Sequence, residues 1–179
     1  LEQFDGHIND LPKFISYMCG EHRPGHFSGV YKVVRFLFEI FEPNYAYFGK
    51  KDYQQLLLIK YIASTYFPKL KIVDVDTVRD SNNIALSSRL SKIPSESFPQ
   101  VKLIYEILNM MKNKLLEGSD YNYIKESSLL ELKNNNISVE YLDLRSLDTL
   151  EELVNINRPC GLFIACYIDG IRLIDNIEI

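Results

Sequence analysis

The sequence predicts an α/β protein: a parallel sheet with its helices, followed by a small α+β domain. Two patterns carry that expectation. Residues 28 to 78 run helix, strand, helix, strand, the order that builds a parallel sheet, and beyond Val78 a polar, proline-containing stretch precedes two helical runs and three strand-like runs. The 179 residues, 46% hydrophobic and 25% charged, suffice for one large domain or two small ones without disulfide or metal support.

The elements follow from local pattern. "GVYKVVRFLFEIFEP" spaces apolar residues at helical intervals and stops at Pro43, which predicts a helix over about residues 28 to 41. "NYAYFG" is a short strand ending at Gly49. Asp52 is placed to cap a second helix, "YQQLLLIKYIASTYF", which Pro68 ends, and "KLKIVDVDTV" is the next strand. The stretch "RDSNNIALSSRLSKIPSESFP" is a long loop or hinge. Residues 99 to 117 carry apolar positions at i, i+3, i+4 and i+7, "YIKESSLLELKNNN" is helical, and "ISVEYLDLRSL", "GLFIACYID" and "IRLIDNIEI" are strands. Only Asp169-Gly170 separates the last two, a strong hairpin signal. The domain boundary is expected near Thr77, giving domains 1-77 and 78-179.

Charge and cysteine usage exclude several classes. A net charge of -4 and a pI near 5.4 argue against a general nucleic-acid binder, which would show a clustered basic excess. No apolar run approaches membrane-spanning length, and no signal sequence is evident. Cys19, Cys160 and Cys166 lack the close pairings of a zinc site or redox dithiol, so reduced buried thiols in a cytoplasmic protein are expected. The chain opens on Leu1, not Met, and "LEQFDGHINDLPKF" resembles the middle of a protein.

Three stretches could carry chemistry. In "YFGKKDYQQLLLIK" two lysines stand at the mouth of a helix, where the helix already carries partial positive charge, so a negative ligand is expected there. Gly49 would let a ligand approach the backbone, Lys51 would pair with phosphate, and Gln54 or Gln55 could hold a polar substrate; equally, Asp52 and Gln55 could form a plain capping box. "LSSRLS" offers two hydroxyls and a guanidinium, either an anion clamp or a turn with a helix cap. In "CGEHRPGHFSGV", His22 and His26 have metal-pair spacing, but Pro24 and Gly25 interrupt any helix, so no metal site is expected. Arg23 and His26 could project from one turn. Ser87 or Cys19 as a covalent nucleophile would need a partnered base. His7 is expected at the surface.

Taken in order and at matching separations, Arg23-Pro24-Gly25-His26-Phe27, Phe48-Gly49-Lys50-Lys51-Asp52-Tyr53-Gln54-Gln55-Leu56 and Leu86-Ser87-Ser88-Arg89 resemble the motifs of the pantothenate synthetase (pantoate-beta-alanine ligase) family. "VEYLDLRSL" and "IRLIDNIEI" look like the end of that family's C-terminal domain. The resemblance implies the second half of a Rossmann-like sheet of the HUP-type nucleotidyltransferases, followed by a lid-like α+β domain. It implies ATP-driven condensation of pantoate with beta-alanine through a pantoyl adenylate, with Mg2+ beside the polyphosphate. By matching positions, Gly49, Lys50, Lys51 and Asp52 would border ATP, with Lys51 on its phosphates. Gln55 would hydrogen-bond pantoate, Val78 would touch the adenine side, and Leu86, Ser87, Ser88 and Arg89 would form a mobile phosphate-gripping loop. Arg23 and His26 match further active-site positions, and with Lys51 and Arg89 they are the expected catalytic group. A cytoplasmic homodimer is implied.

The departures are specific. The family usually carries Glu where Lys50 stands, Asp-Gly where Asn82-Asn83 stand, and Asn where Leu90 stands. Replacing that glycine in a loop that must move could slow its closure. The family's H-x-G-H motif and its other pantoate-binding glutamine have no counterpart in these residues, and "FDGH" is a decoy. An alternative is therefore a truncated relative or pseudoenzyme that binds nucleotide or a partner without turnover.

Overall fold

The computed structural model describes residues 11–179, so His7 and the "FDGH" decoy lie outside the described residues. The chain divides into two compact units, Leu1–Asp76 and Thr77–Ile179.

In the first unit, helix α1 (Cys19–His22) is a single turn and α2 (His26–Phe41) follows a break at Arg23-Pro24-Gly25. Gly25 takes a left-handed backbone (φ 78°) that lets the chain restart as a helix at His26, two residues earlier than periodicity suggests. The helix ends where Glu42, also left-handed, returns its N–H to the Phe38 carbonyl, and Pro43 prevents continuation. Strands β1 (Tyr45–Gly49) and β2 (Lys71–Val75) pair in parallel, Tyr45 opposite Lys71 and Gly49 opposite Val75, with α3 (Tyr53–Tyr66) as the crossover between them. Leu56, Leu58, Ile59 and Ile62 of α3 are buried, covering more than one side of that helix. Phe38 of α2 meets Phe48 and Phe67 edge-on. Because strand side chains alternate, Ala46 and Phe48 are partly covered while Tyr45 and Tyr47 stand exposed on the opposite face. A stripe of α2, Val33, Leu37, Ile40 and Phe41, is also exposed.

The second unit begins with an irregular segment containing two 3-10 turns, Ser88–Lys92 and Ser95–Ser97. Helices α4 (Phe98–Leu116) and α5 (Tyr121–Asn134) then precede an antiparallel sheet ordered β3 (Ser138–Ser146), β4 (Cys160–Ile168), β5 (Ile171–Glu178). Ile104, Leu108, Met111 and Leu115, at helical spacing on α4, join Ile124 and Leu132 of α5 and Leu142, Leu144, Leu162 and Ile164 of the sheet in one core. The Asp120 carboxylate caps α5 by accepting the Tyr123 N–H at 2.9 Å. Between β4 and β5, Asp169 (φ 49°) and Gly170 (φ 74°) are both left-handed, the conformation of a type I′ hairpin turn. No described helix is long and apolar enough to cross a membrane.

Candidate functional site

In the first unit the chain leaves the carboxyl end of β1 at Gly49, winds through a 3-10 turn at Lys50–Asp52 and enters α3. Ligands of parallel sheets bind beside such strand ends. Gly49 has an ordinary extended backbone (φ −73°), and a Cβ placed on it would meet nothing within 4 Å. Neither strain nor packing within the chain therefore requires glycine there, and open space is left for a ligand. Lys50 Nζ lies 2.9 Å from the carboxylate of Asp76, which follows β2, so an ion pair links the loops at the carboxyl ends of both strands. Lys51 is half-buried beside it.

Two readings of this loop need correction. Asp52 occupies the N-cap position of α3 but makes no side-chain cap bond, and the Asp52-Gln55 capping box is not formed. The reason is local: entry through a 3-10 turn gives Asp52 a turn-like backbone (φ −95°, ψ 55°), not the extended one that aims a capping side chain at the helix amides. The adjacent glutamines have different surroundings. Gln54 is buried; its Oε1 accepts the Cys19 N–H at 3.1 Å, and its Nε2 donates to the carbonyls of Phe14 (2.8 Å) and Tyr17 (2.7 Å). Gln55 is half-buried and takes no part in that clamp.

Arg23 Nη1 stands 3.1 Å from His26 Nε2. A guanidinium only donates, so this contact is a hydrogen bond only with Nε2 as acceptor and any ring proton on Nδ1. His22 ends α1 and His26 begins α2, on either side of the Pro-Gly break. Among the described residues no three His, Cys, Asp or Glu side chains converge to hold a metal. A cavity of about 460 Å³ in this unit, lined by Phe38, Glu42, Asn44, Phe67 and Pro68 among others, opens at the amino ends of β1 and β2, away from the Gly49–Asp52 loop.

In the second unit, residues 78 to 86 form a tight hairpin. The Leu86 N–H donates to the Val78 carbonyl (2.9 Å), Arg79 bridges Ala85, and Asp80 Oδ1 accepts from the amides of Asn82 and Ile84 at 2.9 Å each. Val78 and Leu86, apart in sequence, are thereby side by side and both exposed. Asn83, at φ 62°, occupies a left-handed position of the kind glycine adopts freely. Ser87 Oγ accepts the Arg89 N–H at 3.2 Å and so caps the 3-10 turn Ser88–Lys92, the cap reading of that hydroxyl. Ser88 is exposed. The half-buried Arg89 donates from Nη1 to the carbonyl of Arg172 on β5 at 2.7 Å.

Sequence reading missed Gln54 as a clamp and Arg79 as an anchor. The available signal for the second was Asp175, the ion-pair partner of Arg79 at 2.7 Å, which falls between the core-packed Leu173 and Ile177 in the alternation of β5, where a buried carboxylate needs a partner. Several titrating groups of the second unit are shifted, three of them in its interior. Burial pushes the Cys166 thiol up to about 12, and burial also raises Cys160 and Tyr121.

The strand-end loop of this α/β unit thus carries two lysines and a sterically free glycine. Comparison with known proteins is specific: a family model for pantoate-beta-alanine ligase matches residues 6–178, and the chain belongs to that family. The pantothenate synthetase of Leptospira interrogans serogroup Icterohaemorrhagiae serovar copenhageni is 34% identical over 171 residues, 94% of this chain and 60% of that protein. The pantothenate synthetase of Chromobacterium violaceum is 37% identical over 169 residues, 94% of this chain and 61% of the relative. The crystal structure of pantothenate synthetase from Thermus thermophilus matches with a TM-score of 0.85 at 32% identity, over 92% of this chain and 60% of that one. Pantoate-beta-alanine ligase from Francisella tularensis, complexed with beta-gamma ATP and beta-alanine, matches with a TM-score of 0.72 at 32% identity, over 93% and 55% of the two chains. The fold is thus that of pantothenate synthetase, a HUP-like domain followed by a C-terminal domain. The chain spans about three-fifths of the length of the curated relatives it matches.

Proposed function

We propose that these residues supply part of the site for ATP-dependent condensation of pantoate with beta-alanine. The observation that carries the reading is the Gly49–Asp52 loop: ligand-accessible at the carboxyl end of β1, and set in a chain of the pantoate-beta-alanine ligase family. A pantoate carboxylate oxygen attacks the α-phosphorus of ATP and pyrophosphate leaves. The amine of beta-alanine then attacks the acyl carbon of the adenylate, AMP departs, and the amine gives up a proton. Such chemistry depends on positioning and on neutralising charge. Lys51, with Lys50 held by Asp76, faces the polyphosphate; Gly49 lets it approach the backbone. Gln55 bonds pantoate. In the second unit, Val78 and Leu86, brought together by their hairpin, border the nucleotide, while Ser87, Ser88 and Arg89 form its phosphate loop. In the first unit, Arg23 and His26 supply further polar groups. Mg2+ is expected beside the polyphosphate, as part of the bound substrate. Free, buried cysteines suit a reducing cytoplasm, and a homodimer is expected by analogy with the family.

A second reading is a relative that binds nucleotide or a partner without turnover. Titration with ATP and Mg2+, read by amide exchange, tests the shared step. Protection at residues 49 to 53 that Lys51→Ala abolishes supports the site, and protection confined elsewhere refutes it. Both readings expect no pantothenate from this chain by itself; turnover when it is supplied together with the amino-terminal part of a pantothenate synthetase relative supports the first reading, and ATP protection without turnover in that mixture supports the second.

A further inference from the structure

Arg79 makes four hydrogen bonds in the second unit, and neither the motifs nor the family comparison gives it a role. Its guanidinium donates from Nη1 to Asp175 Oδ2 (2.7 Å) and to the Asn83 carbonyl (3.1 Å). From Nη2 it donates to Asp175 Oδ1 (2.8 Å) and to the Asn176 carbonyl (3.2 Å). Its Cζ lies 4.0 Å from the centroid of the Tyr105 ring. Asp175 is buried and its Oδ1 also accepts the Asn176 N–H at 2.8 Å, so a second bond, independent of Arg79, orients the carboxylate. The fork therefore grips one rigid strand, β5, and the far side of its own hairpin at once. Arg79 is flanked in sequence by Val78 and in space by Ala85, the neighbours whose backbones put Val78 against Leu86.

We infer that Arg79 is a positioning residue for nucleotide binding: locked on Asp175 and Tyr105, it holds the 78 to 86 hairpin in register on β5 and presents Val78 and Leu86 together to the ligand. The inference rests on the reading that these two residues border ATP. Bidentate pairing and ring stacking are properties of arginine that lysine does not share. Arg79→Lys keeps the buried positive charge opposite Asp175, so the unit folds, yet it loses the fork and the stack.

The experiment compares amide exchange and ATP affinity in the 179-residue chain and in Arg79→Lys. Exchange at Leu86, whose N–H closes the hairpin, should quicken about tenfold or more, the scale of losing a hydrogen bond to a charged group. Exchange in β4 should be unchanged, and ATP affinity should fall by a similar factor. If Arg79→Lys does not fold, Tyr105→Leu removes the stacking ring without touching the ion pair, and the same comparison applies with a smaller shift. Unchanged exchange at Leu86 overturns the inference. So does uniform quickening across the unit, which would make Arg79 a general stabiliser, or a loosened hairpin with unaltered ATP affinity. Failure of the unsubstituted chain to bind ATP would instead overturn the nucleotide reading, and with it this role for Arg79 toward ATP.

Discussion

Replacing Gln54 by Ala should unfold the amino-terminal part of the first unit without touching substrate recognition. The side chain is 4% exposed and closes three hydrogen bonds to the backbone of residues 14 to 19. Each such bond contributes about 1 kcal/mol net, and a buried group left unpaired costs ~1–3 kcal/mol. The Cys19 amide is buried and would pay near the upper end. The Phe14 and Tyr17 carbonyls are half-buried, so water can partly replace the lost donor. The sum is about 2 to 4 kcal/mol, which moves a urea midpoint by roughly 1 to 3 M. The chain has no tryptophan and 12 tyrosines, so tyrosine fluorescence follows the transition. Amide exchange at Cys19 localises it. Gln54→Glu keeps the shape and one acceptor oxygen but turns a carboxylate toward two carbonyls, and it should fare no better. If the midpoint of Gln54→Ala stays within about 0.3 M of the parent and Cys19 exchanges at its original rate, the clamp does not hold the segment, and the argument from buried partners fails.

Gln55→Ala, one residue along, should leave the unfolding free energy within about 0.5 kcal/mol of the parent while weakening pantoate binding, because a lost substrate hydrogen bond has no substitute in an apolar wall; a melt and a pantoate titration on one sample separate it from Gln54→Ala. Asn83→Ala should destabilise the second unit by about 1 kcal/mol, since alanine resists a left-handed backbone, whereas Asn83→Gly should stay within about 0.5 kcal/mol of the parent; equal midpoints for the two variants would show that the turn is not strained. Stability should fall as pH rises from about 9 toward 12. Burial holds the protons of Cys166, Cys160 and Tyr121 to higher pH than in the unfolded chain. Lys125 acts in the same direction: burial opposes its charge, but the neighbouring Tyr121 and Asp143 outweigh that and raise its pKa. The unfolded state therefore binds fewer protons over that interval, and a urea midpoint that is flat or rising between pH 9 and 11 would contradict the assignment.

Element type and order were legible in the sequence because periodicity, proline stops and turn chemistry act over a few residues. The spacing of Ile104, Leu108, Met111 and Leu115 declares the buried face of α4 whatever lies opposite, and Asp169-Gly170 prescribes its own turn. The motif blocks likewise point to the Gly49–Asp52 loop and to 86–89 without any knowledge of packing. What each polar side chain does was not legible. Gln54 and Gln55 are the same residue on the same helical turn, and only the path of residues 14 to 19 over α3 makes one a buried clamp and leaves the other half-exposed. Asp52 fits a capping sequence, yet the 3-10 entry rotates it out of that role. Arg79 and Asp175 stand 96 residues apart and meet only because β5, paired with β4, lies against the folded hairpin. Local rules fix which backbone conformation a stretch prefers; the partner of a buried charge or amide is chosen by distant segments, whose approach is set by the packing of the whole unit.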